Sequence, residues 1–394
     1  MARLRVVTVT FNNAAFVVRN LQHTLSATWD GDREVVVVDN ASSDGTPNLI
    51  AREFPEVRLI RSPTNLGFGG GCNLAMRDLD NVDYVALINS DAFVTPRWLE
   101  PLRGALEMEP RLGAACPKIL FEPTFTEVAL SSPTFVPKGL DRRTLGLRVT
   151  GVRVDGGPDV FDRCLFPMGW SVPEDHARWT TGDARLWVPV DTGSQHIEVT
   201  LDSGGPRGFA VGKRFDVVNN AGLELTAELR GRDRGFLEPD GGSYDTPIDV
   251  WGWCGAAVLL RADYLRTAGL LDASFFLYYE DTELSWRGRK KGWQYRYVPT
   301  SVVRHAHARS SDTASALFDY LNQRNRLVMV NRHGNRLERT RVWAGFTREV
   351  TRAVWGEIAR PLLHAQRPRP NLSRRWARAG VAACSRFSSR PVGT

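Results

Sequence analysis

The sequence predicts an α/β protein whose doubly wound, Rossmann-like core is interrupted by an inserted all-β domain and followed by a basic helical tail. Strand and helix patterns alternate over residues 4–119, the helical period is absent from residues 121–249, and it resumes at Trp251. The chain of 394 residues exceeds one compact domain, and neither flank of the insert looks complete alone. We expect domains at residues 1–120, 121–250, 251–333 and 334–394.

The first segment alternates between buried strands and amphipathic helices. Residues 4–11 and 34–38 are β-branched apolar runs that end in polar residues, which is typical of parallel strands covered on both faces. The spacing of apolar residues between them predicts a helix over residues 14–28. The same patterns predict helices from Thr46, over about 70–79 and over 96–107, and strands over 57–60, 84–88 and 114–119.

The remaining chain falls into a β-rich and a helix-rich part. Short alternating stretches with many Gly and Pro predict a β-sandwich-like module over residues 121–250. After it, the patterns predict strands over 256–260 and 295–298, and helices over 262–268, 280–291 and 313–332. Beyond Arg339, residues such as Trp343, Phe346 and Trp355 interleave with arginines, which predicts a basic amphipathic helix. From Pro368 onward Pro, Ser and Arg dominate, and we expect disorder.

The net charge of +7 belongs to one end of the chain. Residues 324–394 hold 16 arginines, no lysine and three glutamates, a balance of +13, so residues 1–323 sum to −6. A mildly acidic body argues against a nucleic-acid partner for the core. The charge leaves the tail free to meet anionic lipid or nucleic acid, and we expect an anionic membrane surface, unless the tail packs on the body or pairs with a second chain.

The cysteines and the apolar runs indicate the cellular compartment in which the protein is expected. Five widely spaced cysteines without a CxxC pair indicate reduced thiols rather than a zinc or redox site. No apolar run approaches the ~18 residues of a spanning helix, and we see no export signal. We therefore expect a cytoplasmic protein, peripheral at the inner face of the cell membrane.

Polar residues stand where the first two predicted strands end, and ligands of open α/β sheets bind at such ends. Thr10 and Asn12 follow the first strand, and Asp39 and Asp44 follow the second. Thr46-Pro47 already supplies a cap for the next helix, so neither aspartate is needed for capping. They suit hydrogen bonds to a nucleobase or a ribose, and the alternative is an ordinary Asx turn.

A glycine-rich stretch starting at Asn65 and Gly67 follows the third strand and opens a helix. The dinucleotide-binding spacing would require glycine at position 72, which is Cys72. The position after the third strand also argues against that motif. We expect a close approach of this backbone to a ligand.

The fourth strand runs into Asn89-Ser90-Asp91, and Thr95-Pro96 caps the next helix, which leaves Asp91 unused. Such a carboxylate can hold a divalent cation bound to phosphate oxygens, although polar strand ends are common. His305 and His307 share a face if their segment is extended, and one of them can complete that metal site or both are surface residues. Arg324 lies on a predicted helix as a candidate diphosphate clamp.

Glu280 and Asp281 begin a predicted helix directly after the aromatic run at residues 275–279. Acidic residues in a first turn are favoured by the helix dipole, which is the structural explanation. An aromatic wall beside two carboxylates also suits a sugar ring whose hydroxyl loses a proton to a general base. We favour the catalytic interpretation.

In their order along the chain, these motifs resemble glycosyltransferase family 2, and within it the bacterial rhamnosyltransferase and galactofuranosyltransferase-like branch. The resemblance covers residues 4–119 and 251 to about 333 and implies a GT-A fold. The motifs that carry it are Thr8-Val-Thr-Phe-Asn12, Val37-Val-Asp-Asn-Ala-Ser-Ser-Asp-Gly-Thr46, Asn65-Leu-Gly-Phe-Gly69, Asn89-Ser-Asp91, Phe275-Phe-Leu-Tyr-Tyr-Glu-Asp-Thr-Glu-Leu-Ser-Trp-Arg287 and Arg324-Asn325.

The resemblance implies an inverting transfer of rhamnose or another hexose from a nucleotide-diphosphate sugar to a glycan or lipid-linked acceptor in surface-glycan synthesis. Asp281 would be the base, Glu280 would orient it, and Asp91 with His305 would hold Mg²⁺ or Mn²⁺. The same resemblance assigns donor binding to several of the residues discussed above, and the expectations already given add Gly67 and Arg324. The full set is Thr10, Asn12, Asp39, Asp44, Asn65, Gly67 and Arg324.

One departure from the family pattern concerns the metal motif, whose first position is Asn89 instead of Asp. One charge fewer predicts a lower metal affinity. Two other functions stay open: a glycan-binding or scaffold protein with a degenerate transferase core, and a nucleotidyltransferase. Asp91 and Asp281 argue against the first, and the lack of a basic, Gly-rich loop after the first strand argues against the second.

Overall fold

The computed structural model describes residues 2–138, 142–174, 176–202, 205, 207–306, 316–363, 367–368 and 370–385. His307, the first residues of the helix predicted from 313, and the last residues of the tail lie outside these ranges. By contacts, the chain divides into two compact units. The first comprises Met1–Ile119, Asn220–Gly235 and Tyr244–Thr394, and the second comprises Leu120–Asn219 and Phe236–Ser243.

The helices are close to those expected from the apolar periodicity. They are α1 (Ala14–Ser26), α2 (Thr46–Glu53), α3 (Gly67–Met76), α4 (Leu99–Met108), α5 (Ala262–Ala268), α6 (Glu280–Lys290), α7 (Ala316–His333), α8 (Arg336–Val354), α9 (Arg360–Leu363) and α10 (Leu372–Ser385). A π-helical turn at Trp355–Ala359 joins α8 to α9.

The strands of the first part of the chain are β1 (Leu4–Thr10), β2 (Arg33–Asp39), β3 (Arg58–Arg61), β4 (Tyr84–Ile88), β5 (Ala92–Val94) and β6 (Leu112–Phe121). Those that follow are β7 (Thr124–Ser131), β8 (Arg148–Val154), β9 (Leu165–Trp170), β10 (Arg178–Val190), β11 (Ile197–Leu201), β12 (Gly208–Phe215), β13 (Val217–Asn220), β14 (Leu223–Leu225), β15 (Gly231–Asp233), β16 (Glu238–Pro239), β17 (Ile248–Val250), β18 (Ala257–Arg261) and β19 (Gln294–His305).

The first unit is built on a mixed sheet in the order β6-β18-β4-β1-β2-β3. β1 pairs in parallel with β2 and β4, and β2 pairs in parallel with β3, as the buried apolar runs predicted. β18 runs antiparallel to β4, and β19 runs antiparallel to β5 and β17. The α/β core is therefore confirmed. The mixed strand directions were not predicted, because strand patterns in a sequence do not encode direction.

The second unit is all β. Its sheet has the order β11-β8-β10-β7-β12, with β9 also paired to β10. Val128, Val149, Leu186 and Val188 are fully buried in its own hydrophobic cluster. The β-rich character expected for this part of the chain follows from the alternation of buried and less buried residues along strands such as β7.

The hairpin β14–β15 lies in the first unit, although the sequence had placed it within the insert at 121–250. The Leu223 N–H donates to the Gly252 carbonyl, and Arg230 forms a bidentate ion pair with Glu349. These bonds explain why the hairpin belongs to the α/β unit. The insert boundaries expected from composition are therefore too wide.

The C-terminal region is more ordered than expected. α8 begins with a capping box between Asn335 and Glu338 and buries Val342 and Phe346 in a cluster with α7. α10 begins at Leu372, within the stretch expected to be disordered. Its Gly380 packs so closely on Phe346 that a Cβ there would lie 2.8 Å from that ring, so small residues let this helix dock.

Candidate active site

A cavity of about 340 Å³ opens at the carboxyl ends of β1, β2 and β4. This is where ligands bind in open α/β sheets, and the register of the three strands brings their polar terminal residues together. The cavity is lined by Val9, Thr10, Phe11, Asn12, Asn13, Phe16, Asn40, Asn65, Gly67, Phe68, Asn89, Ser90, Asp91, Phe276 and Leu277.

Asp39 and Thr10 offer buried polar atoms at these strand ends. The Ser42 N–H donates to Asp39 Oδ2 at 3.1 Å, whereas Asp39 Oδ1 is buried with no hydrogen-bond partner among the described residues. The hydroxyl of Thr10 is buried in the same way. An unpaired buried acceptor costs free energy, so these atoms are suited to a ligand that supplies donors. Thr10 lines the cavity, whereas Asp39 does not.

Asn12 and Asp44 organise the loop after β2. Asn12 Oδ1 accepts the Ser43 N–H at 2.8 Å. Asp44 accepts the Ala14 N–H at 3.0 Å and both the N–H and the hydroxyl of Thr46. Burial alone would raise the pKa of Asp44, but these hydrogen bonds outweigh it and lower the pKa.

The expectation that Asp44 is not needed for capping is therefore wrong. Gly45 precedes α2 in a left-handed conformation and offers no side chain, so Asp44 supplies the acceptor for the first amides of α1 and α2. Asp44 does not line the cavity, whereas Asn12 does.

Asn65 and Gly67 form the entrance to α3, which begins three residues earlier than expected. Asn65 Oδ1 accepts the Gly67 N–H at 2.9 Å. Gly67 has φ +72°, and a Cβ there would lie 2.0 Å from the Phe276 carbonyl oxygen. The close approach expected at Gly67 is thus made by the chain's own 275–279 loop, although Gly67 also lines the cavity.

Asp91 and His305 meet at the rim of the cavity because β19 pairs with β5, with His305 opposite Ala92. Asp91 Oδ1 lies 3.1 Å from His305 Nε2, and the Asn89 amide nitrogen lies 3.5 Å from the same ring nitrogen. Both Asp91 and His305 are buried. The predicted pair is therefore brought together from positions 214 residues apart.

The geometry of this pair fits a divalent ion only as a partial ligand set. Within the described ranges, no group of three or more His, Cys, Asp and Glu side chains is arranged to hold a metal. Mg²⁺ is commonly held by one or two carboxylates together with substrate phosphates. One carboxylate oxygen and one imidazole nitrogen 3.1 Å apart are compatible with that arrangement, with Asn89 as the uncharged neighbour.

Glu280 and Asp281 begin α6, next to the cavity-lining loop. Asp281 Oδ2 accepts the Gly255 N–H at 3.0 Å, and its Oδ1 accepts the Thr282 N–H. Glu280 is 5% exposed, and its Oε2 has no partner among the described residues. Burial and the neighbouring Asp281 raise the pKa of Glu280 to about 8, and burial raises the pKa of Asp281 as well.

The pair can therefore hold one proton at neutral pH. Burial and the neighbouring Asp281 raise the pKa of Glu280, which favours its protonated form, whereas the two backbone N–H groups that donate to Asp281 favour the ionised form of that carboxyl. An ionised carboxylate beside a neutral acid is an arrangement that accepts a proton from a hydroxyl.

The loop at residues 275–279 holds three non-glycine residues at positive φ: Phe276, Tyr278 and Tyr279. Its carbonyls are clamped by Asn325, whose amide donates to Phe275, Leu277 and Tyr278 at 2.7–3.0 Å. Such backbone conformations persist only where the surroundings hold them. Asn325 thus sets the position of the loop and of the α6 start.

Arg324 does not take the place expected for a diphosphate clamp. It is buried, and its guanidinium donates to the Ser274 and Phe275 carbonyls and to Asn325 Oδ1. It does not line the cavity. Its Nη2 is used by carbonyls next to and within the loop that Asn325 holds, and its Nε by Asn325 itself, which gives Arg324 a supporting position beside the site.

Sequence reasoning missed Asp233, which β15 contributes from the hairpin. Asn220 donates to Asp233 Oδ1 at 2.6 Å. Burial, with a smaller contribution from Asp281, raises the pKa of Asp233 to about 6, which places its carboxylate in the field of the α6 pair. Nothing in the Gly231-Arg-Asp-Arg-Gly235 stretch distinguishes it from a turn in a β module.

Asn13 and Asn40 were also missed, although they line the cavity. Asn13 Nδ2 donates to Ser90 Oγ at 2.7 Å, and Asn40 Nδ2 donates to the Gly67 carbonyl at 2.9 Å. They tie one strand end to the next. Their position directly after the apolar strands is the signal that would have found them.

Residues 5–155 match the family model Glycosyl transferase family 2. The chain is 25% identical over 327 residues to an N-acetylglucosaminyl-diphospho-decaprenol L-rhamnosyltransferase of Mycobacterium tuberculosis (strain ATCC 25618 / H37Rv), covering 80% of each chain. It is 36% identical over 109 residues to the succinoglycan biosynthesis protein ExoO of Rhizobium meliloti (strain 1021), covering 27% of this chain and 30% of that protein.

A solved structure of GalNAc-T7 with UDP, GalNAc and Mn²⁺ aligns with 84% of this chain and 47% of its own, at 12% identity and a TM-score of 0.49. This chain thus spans about half the length of that one. The family expected from the motifs is confirmed over residues 5–155 by the family match. The chain is therefore a glycosyltransferase whose residues 5–155 match the glycosyl transferase family 2 model.

Proposed function

We propose that this protein is an inverting, metal-dependent glycosyltransferase that moves a hexose, with L-rhamnose the first candidate, to a polyprenyl-linked or polysaccharide acceptor. The observation that carries the proposal is the buried Asp91–His305 pair on the rim of a strand-end cavity. The printed name of the mycobacterial relative supports both the sugar and the lipid-linked acceptor. The product would enter a cell-surface glycan.

The donor nucleotide would occupy the cavity between β1, β2 and β4. Its base or ribose would donate to the unpartnered Asp39 Oδ1 and meet Thr10, whose hydroxyl is buried without a partner among the described residues. Asn12, Asn65 and Gly67 line the same cavity and would shape it. Asp44 and Arg324 act behind this surface, because their hydrogen-bonding atoms are used within the protein.

Mg²⁺ or Mn²⁺ would be held by Asp91 and His305, and when bound it supplies positive charge to the departing diphosphate. The two side chains are already placed together by the pairing of β5 with β19. The uncharged Asn89 beside them predicts weaker metal binding than two carboxylates would give.

The transfer would use Asp281 as the general base. Its carboxylate takes the proton of the acceptor hydroxyl while that oxygen bonds to the anomeric carbon. The bond from the anomeric carbon to the diphosphate oxygen breaks, and the nucleoside diphosphate leaves with the electron pair. Glu280, protonated near neutral pH, keeps a second negative charge away from the base.

Thermal stabilisation by four donors tests the proposal: dTDP-rhamnose, UDP-galactofuranose, UDP-glucose and GDP-mannose, each with and without Mn²⁺. We expect one donor to raise the melting temperature, more strongly with Mn²⁺, and Asp91→Ala to remove only the metal-dependent part. Glu100→Ala, on the exposed side of α4, is the matched control. Stabilisation by none of the four donors would contradict the rhamnose or hexose assignment.

The location of this activity is part of the proposal. Within the described part of the chain, no helix combines the length and apolarity needed to cross a bilayer. We propose that the protein works peripherally at the cytoplasmic face of the membrane, with the basic C-terminal region as its contact.

A further inference from the structure

The α8–α9 segment presents exposed arginines followed by exposed apolar side chains. We call it the lipid-facing edge, and its members are Arg341, Arg348, Arg352, Trp355, Leu362 and Leu363. Spacings of seven, four and three residues place the three arginines and Trp355 on one side of α8, and Leu362 and Leu363 follow them after the π-helical turn. All six are exposed, with Trp355 at 57%, Leu362 at 60% and Leu363 at 72%.

The other apolar residues of α8 are already used in the fold. Phe346 is 5% exposed, and Trp343 donates its indole N–H to Asn331 Oδ1 at 2.7 Å. Of the three aromatic residues that the sequence assigned to membrane contact, only Trp355 is therefore available. The buried face of α8 accounts for the packing of this helix in the first unit, but it does not account for the exposure of Trp355, Leu362 and Leu363.

The carboxylates of this region are also used within the protein. Glu338 closes the capping box of α8, Glu349 pairs with Arg230, and Glu357 accepts from the Leu372 and Ser373 amides at the start of α10. In contrast, Arg341, Arg348 and Arg352 make no ion pair or side-chain hydrogen bond with any described residue. The lipid-facing edge is therefore positively charged, and no carboxylate of the described residues pairs with its three arginines.

We propose that the lipid-facing edge docks on an anionic phospholipid bilayer. The three arginines would meet headgroup phosphates, while Trp355 and the two leucines would enter the interface below them, as in interfacial helices. Exposed arginines next to an exposed tryptophan complement an anionic bilayer, because its headgroup surface is negative and the layer beneath that surface is apolar. The proposal rests on the proposed function in one respect: a lipid-linked acceptor is reached from the membrane surface.

Vesicle co-sedimentation of the full chain tests this, using phosphatidylcholine with 30% phosphatidylglycerol against pure phosphatidylcholine. We expect binding to the anionic vesicles only, weakening as salt is raised. The triple variant Arg341→Gln/Arg348→Gln/Arg352→Gln should bind about 100-fold more weakly, since each arginine near such a surface contributes about fivefold. Trp355→Ser/Leu362→Ser/Leu363→Ser should lose at least about tenfold.

The matched control is Arg52→Gln/Arg77→Gln/Arg111→Gln, which removes the same charge from exposed positions elsewhere in the first unit. It should bind like the unchanged protein. Because the substituted side chains are exposed, all variants should keep the melting temperature; if the triple serine variant does not, Trp355→Ser alone replaces it.

Three results would overturn the proposal: no binding by the unchanged chain, equal losses in the control and in the edge variants, or a dimer that the serine variant dissociates without any vesicle binding. Donor-induced stabilisation, measured in parallel, separates this outcome from the proposed function. Edge variants should keep it unchanged, whereas failure of the transferase proposal would remove it and leave vesicle binding intact.

Discussion

The two sides of the active site are built in different ways. On the strand-end side, Thr10, Asp39 and Asp91 are positioned by the register of neighbouring strands and by short loops. On the α6 side, Asp281 is positioned by a strained loop whose carbonyls are held by Asn325, about 50 residues further along the chain. On the first side, Asp39 Oδ1 and the Thr10 hydroxyl have no hydrogen-bond partner among the described residues, which suits binding, and on the second side burial raises the pKa of Glu280, which suits the proposed chemistry.

This difference teaches that binding and chemistry should be separable by mutation. Changes on the strand-end side should weaken donor binding, whereas changes on the α6 side should slow transfer or destabilise the loop. The two sides meet at a backbone contact, where the Phe68 N–H donates to the Phe276 carbonyl at 2.8 Å. Substitutions at that contact should affect both.

The largest effect is expected from removing the proposed base, Asp281. Asp281→Asn keeps the acceptor for one of its two backbone amides but cannot take a proton, so the transfer rate should fall about 10²–10⁴-fold. Single-turnover transfer with the donor found by stabilisation is the measurement. Asp272→Asn, the capping residue of a nearby turn, is the control with the same chemical change. Unchanged transfer in Asp281→Asn would remove the assignment of the base.

Two glycine substitutions test the contact between the two sides. Gly67→Ala would put a Cβ 2.0 Å from the Phe276 carbonyl oxygen at φ +72°, and we expect a loss of more than about 4 kcal/mol in unfolding free energy. Gly45→Ala carries a similar φ of +85° but meets nothing within 4 Å, so it should lose only about 1–2 kcal/mol. Denaturant unfolding compares them, and equal losses would show that the loop contact is unimportant.

The clamp on the α6 side is tested by Asn325→Ala. Three hydrogen bonds to loop carbonyls at about 1 kcal/mol each predict a loss of about 2–4 kcal/mol, with slower transfer because the start of α6 loses its position. Asn322→Ala lies on the same helix and loses one bond to the Phe318 carbonyl of its own turn. Calorimetric melting should rank the two, and a cost in Asn322→Ala as large as in Asn325→Ala would refute the clamp.

The smallest expected effect is a pH dependence. The pKa of Glu280 is raised by burial from 4.5 to about 8, so the folded state binds a proton that the unfolded state releases. Stability from this group is therefore full below about pH 4.5 and is lost as pH rises toward 8, by at most about 1.4 kcal/mol per pH unit. Asp233, with a pKa near 6, adds a loss of the same sign at lower pH.

Denaturant unfolding between pH 6.5 and 8 measures this effect. Glu280→Gln should flatten the decline in that window, whereas Glu100→Gln on the exposed side of α4 should leave it as in the unchanged protein. A decline that persists in full in Glu280→Gln would mean that another group takes up the proton.

The strand-end side was largely predictable from the sequence, and the α6 side only in part. Apolar runs ending at Thr10, Asp39 and Ile88 mark strands directly, and parallel strands bring their carboxyl ends to one edge of the sheet. His305 was found only as a candidate, because its place beside Asp91 depends on the antiparallel pairing of β19 with β5.

The missed features depend on contacts that a linear pattern does not contain. Asn325 and Arg324 face a loop from which they are separated by about 50 residues, so their charge and amide groups alone did not reveal a structural role. Asp233 reaches the site through a hairpin that composition assigned to the insert. The order of α10 depends on small residues such as Gly380 packing on Phe346, in a stretch whose composition is typical of disorder.

The central claim, that binding and chemistry are held by different sides of the site, is tested most directly by titration calorimetry of the nucleotide-sugar donor. Asp281→Asn should bind the donor within about threefold of the unchanged protein. Asp39→Asn, which alters the unpartnered acceptor at the strand end, should bind about 10–100-fold more weakly. Donor affinity lost in Asp281→Asn and retained in Asp39→Asn would contradict the account.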